Sequence, residues 1–307
     1  MNDKYVIETS GLSKAYGEET ILYDIDLHIK KGKIYGLLGR NGVGKTTIMK
    51  MMLGLTAITS GEISLFGKSV KKNGMDIYPR VGSLVEAPGF YPNLTGYENL
   101  KTFSLLKGHT KRNSIEDALK TVDLPYRDKK PFGKYSLGMK QRLGVANALM
   151  NEPEILILDE PTNGLDPIGI AELRQLIKDL AEKQGKTVLI SSHQLSEVEQ
   201  LADTIGVLHD KRLIEECDLD DIIKYNQQYI RVKVSNVEKA TMLLEQTDIQ
   251  NYKVIFADTI HIYDFSLKPY LINRLFTEND VDVSQLDVHA ESLEEHFKDI
   301  TGGVGIA

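Results

Sequence analysis

Cysteine is all but missing from this chain of 307 residues: Cys217 stands alone, and tryptophan is absent. One thiol excludes an intramolecular disulfide framework and agrees with a reducing compartment. Long apolar runs are missing too, since no stretch approaches the roughly 18 residues that a membrane-spanning helix needs. The opening MNDKYVIETSGLSKAYG lacks the basic start and apolar core of a secretory signal. Positive charge is likewise not in excess, with 37 Lys and Arg against 44 Asp and Glu, a net charge of −7. That balance argues against a protein that coats nucleic acid, because such binding neutralises phosphates with many cations. No nucleic-acid partner is therefore expected, and the basic stretches Lys68 to Lys72 and Lys107 to Arg112 read as solvated loops.

What is present describes a globular chain with a real core, 41% hydrophobic and 26% charged. At about 150 residues per domain, the length predicts two domains. Tyr5 to Thr9 and Ile21 to Ile29 alternate polar and apolar residues, as half-buried antiparallel strands do. Ile34 to Leu38, Ile155 to Leu158 and Thr187 to Ser191 are instead short continuous apolar runs, the pattern of strands buried on both faces. Helices are predicted over Thr47 to Leu55, Tyr97 to Lys107, Ser114 to Val122, Ser136 to Leu149 and Ile168 to Gln184, the last ending at Gly185. Beyond Leu219 the texture changes. Strands at Tyr229 to Val234, Val254 to Ala257, Ile260 to Phe265 and Val281 to Val288 alternate with helices at Val237 to Gln246 and Lys268 to Glu278. The order is βαββαβ, with a last helix at Leu293 to Ile300. A boundary near Asp220 is expected.

Gly39-Arg40-Asn41-Gly42-Val43-Gly44-Lys45-Thr46 has the spacing G-x-x-x-x-G-K-T, after a buried strand and before a helix. Glycines let backbone N–H groups curl around an anion, and the helix directs its positive dipole end at the same place. Lys45 can reach β and γ phosphates, and the Thr46 hydroxyl can ligate Mg²⁺. A nucleoside triphosphate is therefore the expected ligand. Asp159 and Glu160 end the apolar run that begins at Ile155. Side chains alternate along a strand, so the two carboxylates take different tasks: Asp159 toward Mg²⁺, Glu160 toward an attacking water.

Upstream of these, Tyr135-Ser136-Leu137-Gly138-Met139-Lys140-Gln141-Arg142 opens a helix. Ser136 there reads either as an ordinary cap or, with the N–H groups of Leu137 and Gly138, as a second anion site. Together these segments resemble the ATP-binding subunits of ABC transporters, in which the Ser136 segment is the signature motif. The resemblance covers Tyr5 to Glu216 with every motif in family order. It implies an α/β P-loop NTPase fold of the ABC type, with a mixed sheet core, an antiparallel β subdomain and a helical subdomain at about 90–150. The ATP-binding domain would span 1–220, and a small βαββαβ accessory domain 221–307.

Carried over by position, the resemblance implies ATP contacts from Tyr16 on adenine, from Gly39, Arg40, Asn41, Gly42, Val43, Gly44, Lys45, Thr46 and Thr47, and from Ser136, Leu137 and Gly138. It gives catalytic roles to Glu160 and to His193, the switch histidine, and a D-loop at Gly164-Leu165-Asp166. Two copies would pair head to tail, each ATP lying between the phosphate loop of one and Ser136 of the other. The partner would be an integral membrane subunit, and the site of action cytoplasmic, on the inner face of the membrane.

Three positions depart from the usual pattern, and one of them is Met139, where the signature usually has glutamine. Leu137 replaces a glycine, which matters only if φ there must be positive. Glu86 stands where the family has a glutamine near Mg²⁺ and water, so its charge needs Mg²⁺ or a proton nearby; it is assigned a catalytic and a metal-binding role with Thr46 and Asp159. Glu86, the following Ala87 to Thr95 and the signature run resemble the bacitracin and lantibiotic resistance branch of ABC exporters, with the segment after Glu86 expected on the membrane subunit. A ribosome-directed ATPase is the alternative. A DNA-organising ATPase is excluded, because no long heptad segment separates Lys45 from Ser136. His261, His289 and His296 lie too far apart in sequence to propose a metal site.

Overall fold

The computed structural model describes residues 4–86, 89–106, 108, 111, 113–221, 228–247, 249–264, 268–290 and 297–298. Two compact units divide the chain, Met1–Leu219 and Asp220–Gly305. Among the described residues no helix is long and apolar enough to cross a membrane.

The first unit begins with β1 (Tyr5–Tyr16), β2 (Glu19–Ile25), β3 (His28–Lys30), β4 (Ile34–Leu38) and α1 (Lys45–Met52). It continues through β5 (Ser60–Leu65), β6 (Lys68–Ser69), α2 (Val70–Ile77) and β7 (Val81–Leu84) to α3 (Gly96–Leu106), α4 (Ser114–Thr121) and α5 (Leu137–Leu149). Then follow β8 (Ile155–Leu158), α6 (Pro167–Glu182), β9 (Thr187–Ser192), α7 (Leu195–Glu199), β10 (Thr204–His209) and β11 (Arg212–Asp218).

The strands form two sheets. One is antiparallel, in the order β2-β1-β5-β6 with β3 also on β1; the other has six strands, β11-β10-β4-β9-β8-β7, parallel except for the β10–β11 hairpin. Every residue of β4, β8 and β9 is buried, as their unbroken apolar runs require of strands covered on both faces. Gly36 in β4 admits close packing: a Cβ there would meet Val198 Cγ1 of α7 at 2.2 Å. One core joins both sheets across α1, whose Ile48, Met49 and Met52 pack with Leu12 and Leu22 of the antiparallel sheet and Leu37, Ile157 and Leu189 of the parallel one.

The expected strand Ile21 to Ile29 is two strands. β1 is 12 residues long; β2 pairs with its later half and β3 with its earlier half, so the chain must break between them. Thr9 satisfies the backbone at the break, its hydroxyl donating to Ile25 O at 2.8 Å and accepting from Leu27 N at 2.8 Å. Lys68 to Lys72 is not loop either, since it spans β6 and the start of α2.

The helical part starts with a capping box, in which Glu98 N donates to Thr95 Oγ1 at 3.2 Å and Thr95 N to Glu98 Oε2 at 2.8 Å. α6 is capped by Asp166, which accepts from Gly169 N at 2.8 Å, and it buries Leu173, Ile177 and Leu180 on one face.

The second unit holds β12 (Gln228–Val234), α8 (Val237–Gln246), β13 (Tyr252–Phe256), β14 (Thr259–Ile262), α9 (Pro269–Glu278) and β15 (Val283–Ala290). Its antiparallel sheet runs β13-β14-β12-β15. Ile230, Val232 and Val234, alternating along β12, pack with Leu244, Ile272 and Phe276 of the two helices. Of the expected helix Leu293 to Ile300, only 297–298 are among the described residues.

Cys217 lies on β11 opposite Ile205. Burial, with Glu215, Asp218 and Glu216 beside it, pushes the thiol up to about 12. Because the thiolate is the nucleophile, iodoacetamide at pH 8 is expected to modify the native chain far more slowly than the urea-unfolded chain. Equal rates in the two states would contradict this placement.

Candidate functional site

The site forms where β4, β8 and β9 end. Their parallel register sets Leu38 beside Ser192 and Leu158 beside Ile190, so the residues that follow each strand meet at one edge of the sheet. Gly39 to Gly44 loops from β4 into α1. Gly44, the residue before the helix, has φ +113°, and a Cβ there would lie 2.6 Å from Leu22 Cδ2. Both backbone and neighbour therefore demand glycine. Lys45 is buried and turns its ammonium onto the loop, donating to Gly39 O at 2.6 Å and Arg40 O at 3.2 Å.

The carboxylates take separate partners. Asp159 accepts from Thr46 Oγ1 at 2.7 Å through Oδ2, and from Ser191 Oγ at 2.6 Å through Oδ1. The same Ser191 hydroxyl accepts from Glu160 N at 2.8 Å. Glu160 has φ +44°, and its carboxylate lies with His193 and Lys45: Oε2 is 2.8 Å from His193 Nδ1 and Oε1 is 3.1 Å from Lys45 Nζ. Oε1 is buried and, although within ion-pair distance of Lys45, has no hydrogen-bond partner.

Glu86 has φ +61° and pairs with Lys50 Nζ of α1 at 2.5 Å. This hydrogen bond raises the Lys50 pKa above its ordinary value. The charge at Glu86 thus has a cation that its sequence neighbours do not reveal. No described hydrogen bond or ion pair joins Glu86 to Thr46 or Asp159, and Ala87 and Pro88 lie outside the described residues.

Tyr16 is 54% exposed. Its ring rests against Lys14, whose Nζ is 4.3 Å from the ring centroid and donates to Ala57 O at 2.7 Å. The Tyr16 hydroxyl meets Thr56 Oγ1 at 3.3 Å.

The Ser136 segment lies apart from the phosphate loop. Ser136 caps α5 by accepting from Met139 N at 3.3 Å, and Leu137 begins the helix without positive φ, so its side chain imposes no backbone strain. Leu137 Cδ2 lies against Gly164, where a Cβ would approach it to 3.0 Å. A cleft of about 450 Å³ runs between Ser136, Leu137 and Gly138 on one side and Gly164, Leu165 and Asp166 on the other. No residue from Gly39 to Thr47 lines it.

Three residues around the site escape motif reading. Ser191 shows itself as a hydroxyl at the end of an apolar strand, a position where burial demands a polar partner. Lys14 and Glu197 carry no such local sign. His261 and His289 are distant in sequence, but β12 pairs with both their strands, and their rings lie 4.0 Å and 5.3 Å from that of Tyr229. Even so, no group of three or more metal-ligating side chains forms among the described residues.

A family described as ABC transporter matches residues 22–163. The bacitracin transport ATP-binding protein BcrA of Enterococcus faecalis is 50% identical over 304 residues, 99% of this chain and 99% of that protein. The lantibiotic transport ATP-binding protein SrtF of Streptococcus pyogenes is 46% identical over 215 residues, 70% of this chain and 92% of that one. Among solved structures, a dimeric ATP-binding cassette in a post-hydrolysis state bound to ADP and Pi is 26% identical with a TM-score of 0.62, covering 69% of this chain and 98% of that one. The structure of cbiO1 from Clostridium perfringens, part of the ABC transporter complex cbiONQ, is 28% identical with a TM-score of 0.65, over 72% and 91% of the two chains.

Proposed function

This chain belongs to the ABC transporter family as an ATP-binding, ATP-hydrolysing subunit, and we propose that it drives a separately encoded membrane exporter of a peptide antibiotic such as bacitracin or a lantibiotic. The observation that supports hydrolysis is the pairing of Asp159 with Thr46 and of Glu160 with His193 at the lip of the phosphate loop, and the likeness to BcrA and SrtF supports the exporter. The relatives named above are transport subunits, and they lend no support to the ribosome-directed alternative.

In this reading Lys45 exchanges the carbonyls of Gly39 and Arg40 for the β and γ phosphates of ATP, and the N–H groups of the loop face the same anions. Thr46 and Asp159 place two hard oxygen donors in contact, the type Mg²⁺ prefers, so these residues fit that ion. When bound, Mg²⁺ would neutralise charge on the phosphates. Glu160 orients the attacking water with Oε1, which the Lys45 ammonium leaves when it moves to the phosphates. His193, which rests on Glu160 Oε2 through Nδ1, donates a ring N–H to the γ-phosphate once the nucleotide is bound. Tyr16 stacks on adenine, and Lys14 and Thr56 fix its ring.

Ser136, Leu137 and Gly138 act on the ATP of a second copy, since no phosphate-loop residue lines their own cleft. Two chains thus pair head to tail on the cytoplasmic face of a membrane subunit, with the segment after Glu86 in contact with that subunit. Glu86 leaves Lys50 and approaches the metal and the water when ATP is bound.

Glu160→Gln is expected to lower hydrolysis on the order of 10²–10⁴-fold. In cells that also carry the membrane partner, it should remove bacitracin tolerance. Wild-type hydrolysis in this variant would remove Glu160 from its role; full hydrolysis by the unsubstituted chain that confers no antibiotic tolerance in those cells would retain the ATPase and discard the exporter assignment. Glu86→Gln and Glu86→Ala should each change turnover or its Mg²⁺ dependence, and wild-type values in both would leave Glu86 as a surface partner of Lys50.

A further inference from the structure

Glu197 belongs to no motif read from the sequence. It lies on α7, only 7% exposed, and one of its oxygens serves two hydroxyls. Oε2 accepts from Thr162 Oγ1 at 2.5 Å and from Ser192 Oγ at 3.2 Å. Oε1 is buried with no hydrogen-bond partner. Thr162 and Ser192 are buried as well. A carboxylate enclosed with neutral hydroxyls is an unfavourable way to fill space, and an apolar side chain of similar size would fill it without that desolvation cost.

What an apolar side chain could not do is connect the two loops. Ser192 immediately precedes His193, and its hydroxyl also accepts from Gln194 N at 3.0 Å, so it holds the backbone on both sides of the histidine. Thr162 follows Glu160 across Pro161, which is buried. His193 Nδ1 in turn lies 2.8 Å from Glu160 Oε2. The contacts close a ring: Glu197 to Ser192, His193 to Glu160, and Thr162 back to Glu197. Thr162 also leads into Gly164 to Asp166, one wall of the cleft beside Ser136.

We propose that Glu197 is a positioning residue that fixes His193 and Glu160 relative to each other by tying both of their loops to one buried carboxylate oxygen. The inference rests on the hydrolytic roles given above to those two residues. It assigns Glu197 to the hydrolytic step and not to nucleotide affinity.

The test is steady-state ATP hydrolysis by the purified full-length chain, with ATP affinity and Tm measured alongside. Glu197→Ala is expected to lower kcat on the order of 10- to 100-fold, the scale of a misplaced catalytic group, and to leave ATP affinity within about twofold. Glu197→Gln keeps an oxygen acceptor for both hydroxyls and should restore most of the lost rate. If Glu197→Ala does not fold, the pair Thr162→Val with Ser192→Ala removes the same two bonds and should reproduce its expected loss. Wild-type kcat, a loss confined to affinity, or a glutamine variant as slow as the alanine one would each overturn the proposal. His193→Ala separates the two levels: full hydrolysis in that variant defeats the underlying reading, whereas a slow His193→Ala beside a normal Glu197→Ala defeats this inference alone.

Discussion

The hydroxyl of Ser191 is bonded on both sides, donating to Asp159 and accepting from the backbone of Glu160, and the arrangement of the site depends on that bridge. Two adjacent carboxylates at a strand end would repel each other if both faced the same way. Here one oxygen of Asp159 is committed to Ser191, the other to Thr46, and the left-handed backbone at Glu160 sends its carboxylate to His193 and Lys45. The bridge exists only because β9 lies between β4 and β8 in one parallel sheet. Pairing of that kind brings Thr46, Asp159 and the Ser191 to His193 segment, three places far apart in sequence, to one edge. Burial sharpens the effect, because polar groups at the ends of fully buried strands must find partners within the protein.

Features with a strong local physical cause are legible in the amino-acid sequence. The apolar runs of β4, β8 and β9, the glycines of the phosphate loop, the cap at Ser136 and the span of α8 each follow from periodicity or backbone chemistry within a few residues. The division of Ile21 to Ile29 into β2 and β3 does not, because alternation continues across the break and only the length of β1 forces it. Lys50 opposite Glu86 is equally hidden: the contact joins α1 to the residues after β7, and no local spacing encodes it. The partners of Glu197 and the gathering of His261 and His289 on Tyr229 share that origin, since both are products of strand pairing and loop closure.

No described helix is long and apolar enough to cross a membrane, and under the proposed function the chain serves a membrane process through two separate surfaces, the phosphate loop and the Ser136 segment. The phosphate loop lies at the end of the parallel sheet, whereas Ser136 faces a cleft made with Gly164 to Asp166 and without any phosphate-loop residue. Leu137, in contact with Gly164, couples the signature segment to the loop that descends from Glu160, and Glu197 ties that loop to His193.

Sedimentation of the Glu160→Gln chain with and without Mg-ATP reads out whether the ATP site is completed between two copies. A monomer without nucleotide and a dimer with Mg-ATP are expected, the dimer being lost again when Gly138 is replaced by a bulky residue. A monomer under both conditions, with ATP demonstrably bound, would contradict it.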